Sequence, residues 1–175
     1  VEAGVTLPVI DVPTARLIDR AAKKAGRKAT VHFKIYTGMG RLGILAADAP
    51  RAIREVKALD NLDCEGIFSH CPTAYDPADG FANDQIAVFK AILKDVAKDG
   101  ITFRKVHIAA SDAINNFPAA RRPPFNIVRT GINLHGSFDP NGRRALRLES
   151  VLTLKTRVAQ VRLLPAGTTL GYGRT

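Results

Sequence analysis

Short apolar runs rich in β-branched residues alternate with longer stretches in which apolar residues recur every three or four positions. Leu7-Pro-Val-Ile-Asp11 reads as a strand. After Pro13 and Thr14, the residues Leu17, Ile18, Ala21 and Ala22 share one helical face, which Gly26 ends. Val31 to Ile35 is the next strand, and Asp48 and Pro50 open a helix carrying Ile53, Val56 and Leu59. Leu62 to Phe68 is again a strand. Asp84 to Ala97 follows as a helix with Ile86, Phe89, Ile92, Leu93 and Val96 inward, closed by Gly100. Lys105 to Ala109 and Asn126 to Arg129 complete the series of strands.

Strands alternating with helices of this length predict βαβ units and a parallel sheet. A polar residue just past each short buried strand favours a (β/α) barrel over an open sheet. About five strands precede residue 135, whereas a closed barrel has eight, so the pattern predicts a partial (β/α) barrel, about its last five units. After Gly136 the texture changes. Asn141-Gly142 signals a turn, and Val151 to Leu163 shows long β-rich alternation before the turn Pro165-Ala-Gly167. The expected organisation is residues 1–140 as a partial α/β barrel and 141–175 as the beginning of an antiparallel β domain.

Composition narrows the picture. The 175 residues are 46% hydrophobic, enough for one sizeable core, and no window approaches about 18 uninterrupted apolar residues, so no membrane span is predicted. Val1-Glu-Ala-Gly has neither a basic nor an apolar leader region. It also lacks an initiator methionine and runs almost directly into a strand, so Val1 is not expected to be a natural N-terminus. Cys64 and Cys71 form neither a metal spacing nor a disulfide framework, which suits a reducing, cytoplasmic setting. A net charge of +10 invites a nucleic-acid reading. The basic residues are scattered over helical faces without interleaved aromatics, so steering of an anionic cofactor or substrate is the more economical use.

Chemistry concentrates at the strand ends. Lys34-Ile-Tyr-Thr-Gly-Met-Gly-Arg-Leu-Gly43 follows a strand, and three glycines leave Arg41 as the one cation projecting from the turn. His70, Ser111, and Arg129 with Gly131 stand just past other strands, and Tyr172 lies in the β-rich segment. In a barrel the strand-end residues converge on one mouth. Ser111 with the N–H groups of Gly131 and Ile132 would make a phosphate cradle. Each residue also has a bland reading. Arg41 could be a surface arginine, His70 a satisfied strand-end histidine, Ser111 a helix N-cap, and Arg129 half of a structural ion pair.

These motifs resemble those of alanine racemase over nearly the whole chain, from about Leu7 to Thr175. The resemblance rests on Lys34-x-x-Thr-Gly-Met-Gly-Arg-Leu-Gly43, Gly66-Ile-Phe-Ser-His70, Val128-Arg-Thr-Gly-Ile132 and Pro165-Ala-Gly-x-x-x-x-Tyr-Gly173, in the family order. It implies a pyridoxal 5'-phosphate enzyme, a homodimer, that interconverts L- and D-alanine and supplies D-alanine for peptidoglycan precursors. Tyr172 matches the catalytic tyrosine that reaches the partner subunit's site. Arg41 matches the arginine that positions that tyrosine and the substrate carboxylate, and Lys34 a lysine that is often carbamylated. By the same resemblance His70 packs against the pyridine ring and Arg129 faces the pyridine nitrogen, while Ser111, Gly131 and Ile132 contact the phosphate.

Those roles are chemically coherent. Racemisation removes a proton from one face of Cα and returns one to the other, so two bases must flank the substrate. An arginine beside the pyridine nitrogen cannot surrender its proton and leaves that nitrogen unprotonated. A tyrosine needs a nearby cation such as Arg41 to act as a base near neutral pH. The sequence departs from the family at Tyr36, Cys71-Pro72, Ala110 and Thr130. No lysine stands in the Lys-Ala-x-Ala-Tyr-Gly-His-Gly context of the cofactor-bearing lysine, so this chain alone is expected to be inactive. The alternative is a truncated or degenerate homologue that does not catalyse and binds a phosphate ligand or a partner.

Overall fold

The computed structural model describes residues 1–173. Leu7–Val9 forms β1 and Val12–Lys24 forms α1. The helix starts because Asp11 Oδ1 accepts from the Thr14 N–H at 2.6 Å and Pro13 occupies the first turn, where its missing donor costs nothing. Ala29–Tyr36 forms β2, Ile44–Leu45 the short β3, and Ala49–Lys57 forms α2. Leu62–Phe68 is β4, Phe81–Ala97 is α3, Lys105–His107 is β5 and Ser111–Asn116 is α4. Two 3₁₀ turns follow, at Pro118–Arg121 and Ile132–His135.

The sheet is parallel throughout, in the order β1-β2-β4-β5, with β3 paired to the end of β2. This is the partial α/β barrel that the alternation of strands and helices predicts. The helices lie on one side of the sheet and seal Val31, Phe33, Ile35, Ile53, Val56, Ile67 and Phe89 completely from solvent. Salt bridges from Arg16 to Glu55 (2.6 Å) and from Arg54 to Asp95 and Asp99 (3.2 and 2.6 Å) join the outer helix surfaces, where such pairs contribute little.

Four local expectations change. In α1 the buried positions are Ala15 and Ala22, with Ile18 packed against the core, whereas Leu17 is exposed; the helix turns a different stripe inward. The glycine loop meets β3 before any helix, because Ile44 and Leu45 find pairing partners in Ile35 and Tyr36. The strand expected over 126–129 shrinks to a single parallel bridge, Ala110 to Arg129, anchored by Asn126 N–H to Val106 O at 3.0 Å. Ser111 is the first residue of α4 rather than its N-cap, which is Ala110.

Among the described residues no strand forms beyond β5, and the alternating segment 151–163 is open to solvent, with Leu154 94% exposed. A β-rich segment without a neighbouring strand has nowhere to place its backbone donors but water. The last two residues of the expected β domain lie outside the described residues. No helix is long and apolar enough to cross a membrane among the residues described.

Candidate active site

β2 and β4 pair with an irregularity between Val31 and His32, so Glu65 is an extra residue opposite that step. Up to the bulge, Val31 faces Cys64; beyond it, His32 faces Gly66 and Lys34 faces Phe68, which in turn face Lys105 and His107 on β5. These residues line the side of the sheet away from the helices. Gly66 is required there by space, since a Cβ would come within 2.7 Å of His32 Nε2.

Arg129 enters this surface from the bridge beyond α4. Its Nη2 donates to the carbonyl oxygens of Ser69 and Ile108 at 2.8 and 3.3 Å and approaches His70 Nδ1 at 3.3 Å. Nη1 lies 2.6 Å from His107 Nδ1. An arginine only donates, so His107 Nδ1 accepts and its Nε2 carries the proton. That nitrogen lies 3.1 Å from His32 Nδ1, and His32 Nε2 lies 3.0 Å from Glu65 Oε2. The chain therefore runs from a cation that only donates to a carboxylate that only accepts, and both histidine tautomers follow from its ends. Burial, with the Arg129 charge adding, lowers the His107 pKa from 6.5 to about 3 and keeps it an acceptor. The His32 hydrogen bond, followed by that of Lys105, holds the Glu65 carboxyl below its ordinary value.

Lys34 is 3% exposed, with Nζ 5.1 Å from the centre of the Phe68 ring, and the Arg129 guanidinium lies over the same ring at 5.4 Å. Burial first, then the charges of Arg129 and Arg41, lower the Lys34 pKa from 10.5 to about 8. Burial first, then the charges of Arg129, Lys34 and Arg41, hold His70 near 4 instead of 6.5, so its ring is neutral at physiological pH.

A cavity of about 250 Å³ opens at the strand ends, lined by His70, Ser111, Asp112, Arg129, Gly131 and Ile132 among others. All five residues assigned to the cofactor by resemblance meet in this one space. Ser111 Oγ accepts from the N–H groups of Gly131 and Asn133 at 2.8 and 3.4 Å, which draws the turn that follows Arg129 against the start of α4. Asp112 sits unfavourably for an anion, and burial, with Asp139 nearby, raises its pKa and eases that conflict. The lining fits a phosphorylated aromatic ring: a hydroxyl and a turn of backbone at one end, an imidazole wall, and a donor-only cation.

Arg41 stands apart. It is exposed and lines a neighbouring hollow with Tyr36, Leu42 and Leu45, although its charge is felt at Lys34 and His70. Tyr172 is fully exposed and does not line the cavity.

The family model described as alanine racemase, N-terminal domain, matches residues 1–139. The chain belongs to the alanine racemase family. It is 36% identical to alanine racemase 2 of Caldanaerobacter subterraneus subsp. tengcongensis, matching 100% of this chain and 45% of that protein. With the alanine racemase of Desulforamulus reducens it shares 37% identity, covering 99% of this chain and 47% of that one. The chain thus spans about half the length of these racemases. In structure it is similar to alanine racemase from Clostridium difficile 630, with a TM-score of 0.80 at 30% identity over 97% of this chain and 44% of that one. It also resembles an alanine racemase from Bartonella henselae with covalently bound pyridoxal phosphate, with a TM-score of 0.76 at 26% identity. That alignment covers 99% of this chain and 46% of the other.

The residues missed by sequence reasoning are His32, Glu65, Phe68 and His107. The spacing of His32 and Lys34 by two places them on one strand face and was a usable signal. The bulge that turns Glu65 toward His32 left none.

Proposed function

We propose that the complete polypeptide containing this segment is a cytoplasmic, pyridoxal-phosphate-dependent alanine racemase, with residues 1–140 holding the cofactor and 141 onward beginning the C-terminal β domain. One observation carries this reading: His70, Ser111, Arg129, Gly131 and Ile132, far apart in sequence, line a single cavity beside a buried arginine network. Bound there, pyridoxal phosphate supplies the electron sink for the charge left when Cα loses its proton.

The chain's own residues do the rest. Ser111, whose oxygen accepts the Gly131 N–H and whose proton is left to give, cradles the phosphate with the backbone turn at Gly131 and the Ile132 N–H. His70 presents a neutral ring to pack against the pyridine. Arg129, fastened to Ser69, Ile108 and His107, aims a donor at the pyridine nitrogen and cannot give its proton away. The lowered pKa of Lys34 raises its free-amine fraction at neutral pH, the form that adds carbon dioxide through nitrogen and loses a proton to become a carbamate. A carbamate there would neutralise part of the local positive charge and orient Arg41. Arg41 then binds the substrate carboxylate and keeps Tyr172 of the partner protomer basic enough to move a proton on one face of Cα. The exposure of Tyr172 suits a residue that serves a neighbouring subunit.

The test is direct. The complete polypeptide, purified with pyridoxal phosphate, is expected to form D-alanine from L-alanine, while residues 1–175 alone form none. Tyr172→Phe should lower the rate about 10²–10⁴-fold and leave cofactor absorbance in place. Loss of the cofactor in that variant would make Tyr172 structural. A complete polypeptide that holds the cofactor yet racemises no amino acid would favour the non-catalytic homologue.

A further inference from the structure

His70 and the loop that carries Arg41 leave different strands, and one buried side chain fastens them together. Gln85 on α3 is 1% exposed, and its Nε2 donates to Thr37 Oγ1 at 3.0 Å and to the His70 carbonyl oxygen at 3.1 Å. A carbonyl oxygen only accepts, so the amide nitrogen, and not the amide oxygen, faces His70. The remaining protons follow. Ser69 Oγ donates to Ile35 O at 2.8 Å, so across the 2.6 Å contact with Thr37 it must accept. The Thr37 hydroxyl therefore gives its proton to Ser69 and receives that of Gln85. A directed series of donors crosses from α3 to the ends of β2 and β4.

Two neighbouring contacts stiffen this junction. The Ser69 carbonyl accepts from Arg129 at 2.8 Å, which ties the junction to the arginine. Gly38, next to Thr37, adopts φ +143°, and a Cβ there would lie 2.4 Å from Phe81 Cζ, so the first turn of α3 sits directly on the glycine loop. Gln85 Oε1, by contrast, is buried without a hydrogen-bond partner. An apolar side chain of similar size would avoid that penalty. The amide earns its place in the core only through its two donations, one to the backbone of His70, which lines the cavity, and one to the loop that carries Arg41 beside it.

We propose that Gln85 is a positioning residue of the pyridoxal-phosphate site, locking the His70 main chain to Thr37 so that the pyridine-packing ring and the Arg41 loop keep one fixed separation. This rests on the functional reading above. Gln85 touches neither cofactor nor substrate; it acts through His70 and Thr37.

The experiment uses the complete polypeptide loaded with pyridoxal phosphate and compares Gln85→Leu, Thr37→Val and Thr37→Ser. Gln85→Leu and Thr37→Val are each expected to weaken cofactor affinity about tenfold, the factor that one hydrogen bond commands. Both should change the visible circular dichroism of the bound cofactor. The double variant should lose no more than the worse single one, because both break the same series. Thr37→Ser, which keeps the hydroxyl, should match the wild type. Gln85→Leu with a lower Tm but wild-type affinity and dichroism would overturn the proposal and reduce the amide to core packing. Additive losses in the double variant would overturn it too. If Gln85→Leu does not fold, Thr37→Val, at the half-buried link, decides by the same two readouts. A wild-type polypeptide that binds no pyridoxal phosphate would instead overturn the functional reading, and with it the site that Gln85 is proposed to serve.

Discussion

On the helix side of the sheet, Val31, Phe33, Ile35 and Ile67 are sealed from solvent, whereas the same strands present His32, Lys34, Glu65 and Phe68 to the other side. The first set gains by area removed from water and is indifferent to direction. The second is held by directed contacts, the His107–His32–Glu65 hydrogen bonds and the Lys34 ammonium beside the Phe68 ring, in which losing a member strands its neighbour. One β-strand can therefore be a piece of core and a piece of site at once. The two faces should fail differently when disturbed.

The largest effect is expected on the apolar face. Phe33→Ala should cost about 3–5 kcal/mol of stability in denaturant titrations of the complete polypeptide. Whatever fraction stays folded should keep a near-normal turnover. A sharp loss of turnover in the folded fraction would erase the distinction between the faces. Across the sheet, Arg129→Leu should reverse the pattern. Racemisation should fall roughly 10²–10³-fold, as when a preorganised donor is removed, with a much smaller change in Tm. An unfolded Arg129→Leu protein would mean that the arginine is mainly structural.

Gly66→Ala sharpens the comparison, since its Cβ would collide with the His32 ring. The ring must shift, at about 1–3 kcal/mol, and the His32–Glu65 bond should be lost. Nitrogen chemical shifts of His32 and His107 would report this as mixed tautomers in place of the single Nε2–H form. The smallest effect is the response to acid. His70 and His107 have folded pKa values of about 4 and 3, below the ordinary 6.5, so the unfolded chain takes up protons first as pH falls. Stability from these groups is full above pH 6.5 and is lost progressively as pH falls, down to about 4 for His70 and about 3 for His107. Urea midpoints at pH 7, 5.5 and 4.5 should show this slope, flatter in His107→Phe.

The contrast also explains what could be read from the chain. β4 was legible to the residue as an apolar run between turn signals, and β2 nearly so because its apolar positions alternate cleanly. α1 was legible as a helix but not in its buried stripe, since alanine and leucine on adjacent faces satisfy the same period. The cavity residues emerged through their place past strand ends and through family motifs. The Glu65–His32–His107 series did not, because a bulge shifts register without leaving a mark in hydrophobicity. For Asn126 to Arg129, local β propensity outran the pairing available, and only one bridge formed.

The exposed segment from Val151 to Leu163 has a practical side for anyone expressing this chain. Leu152, Leu154, Val158, Val161 and Leu163 form a bare β-rich strip, the composition that nucleates intermolecular pairing. Lys155, Arg157 and Arg162 are interleaved with it, and like charges spaced along a strand repel a second copy laid alongside. These cations act as gatekeepers, so high salt, which screens them, should be the condition under which the isolated segment clumps first.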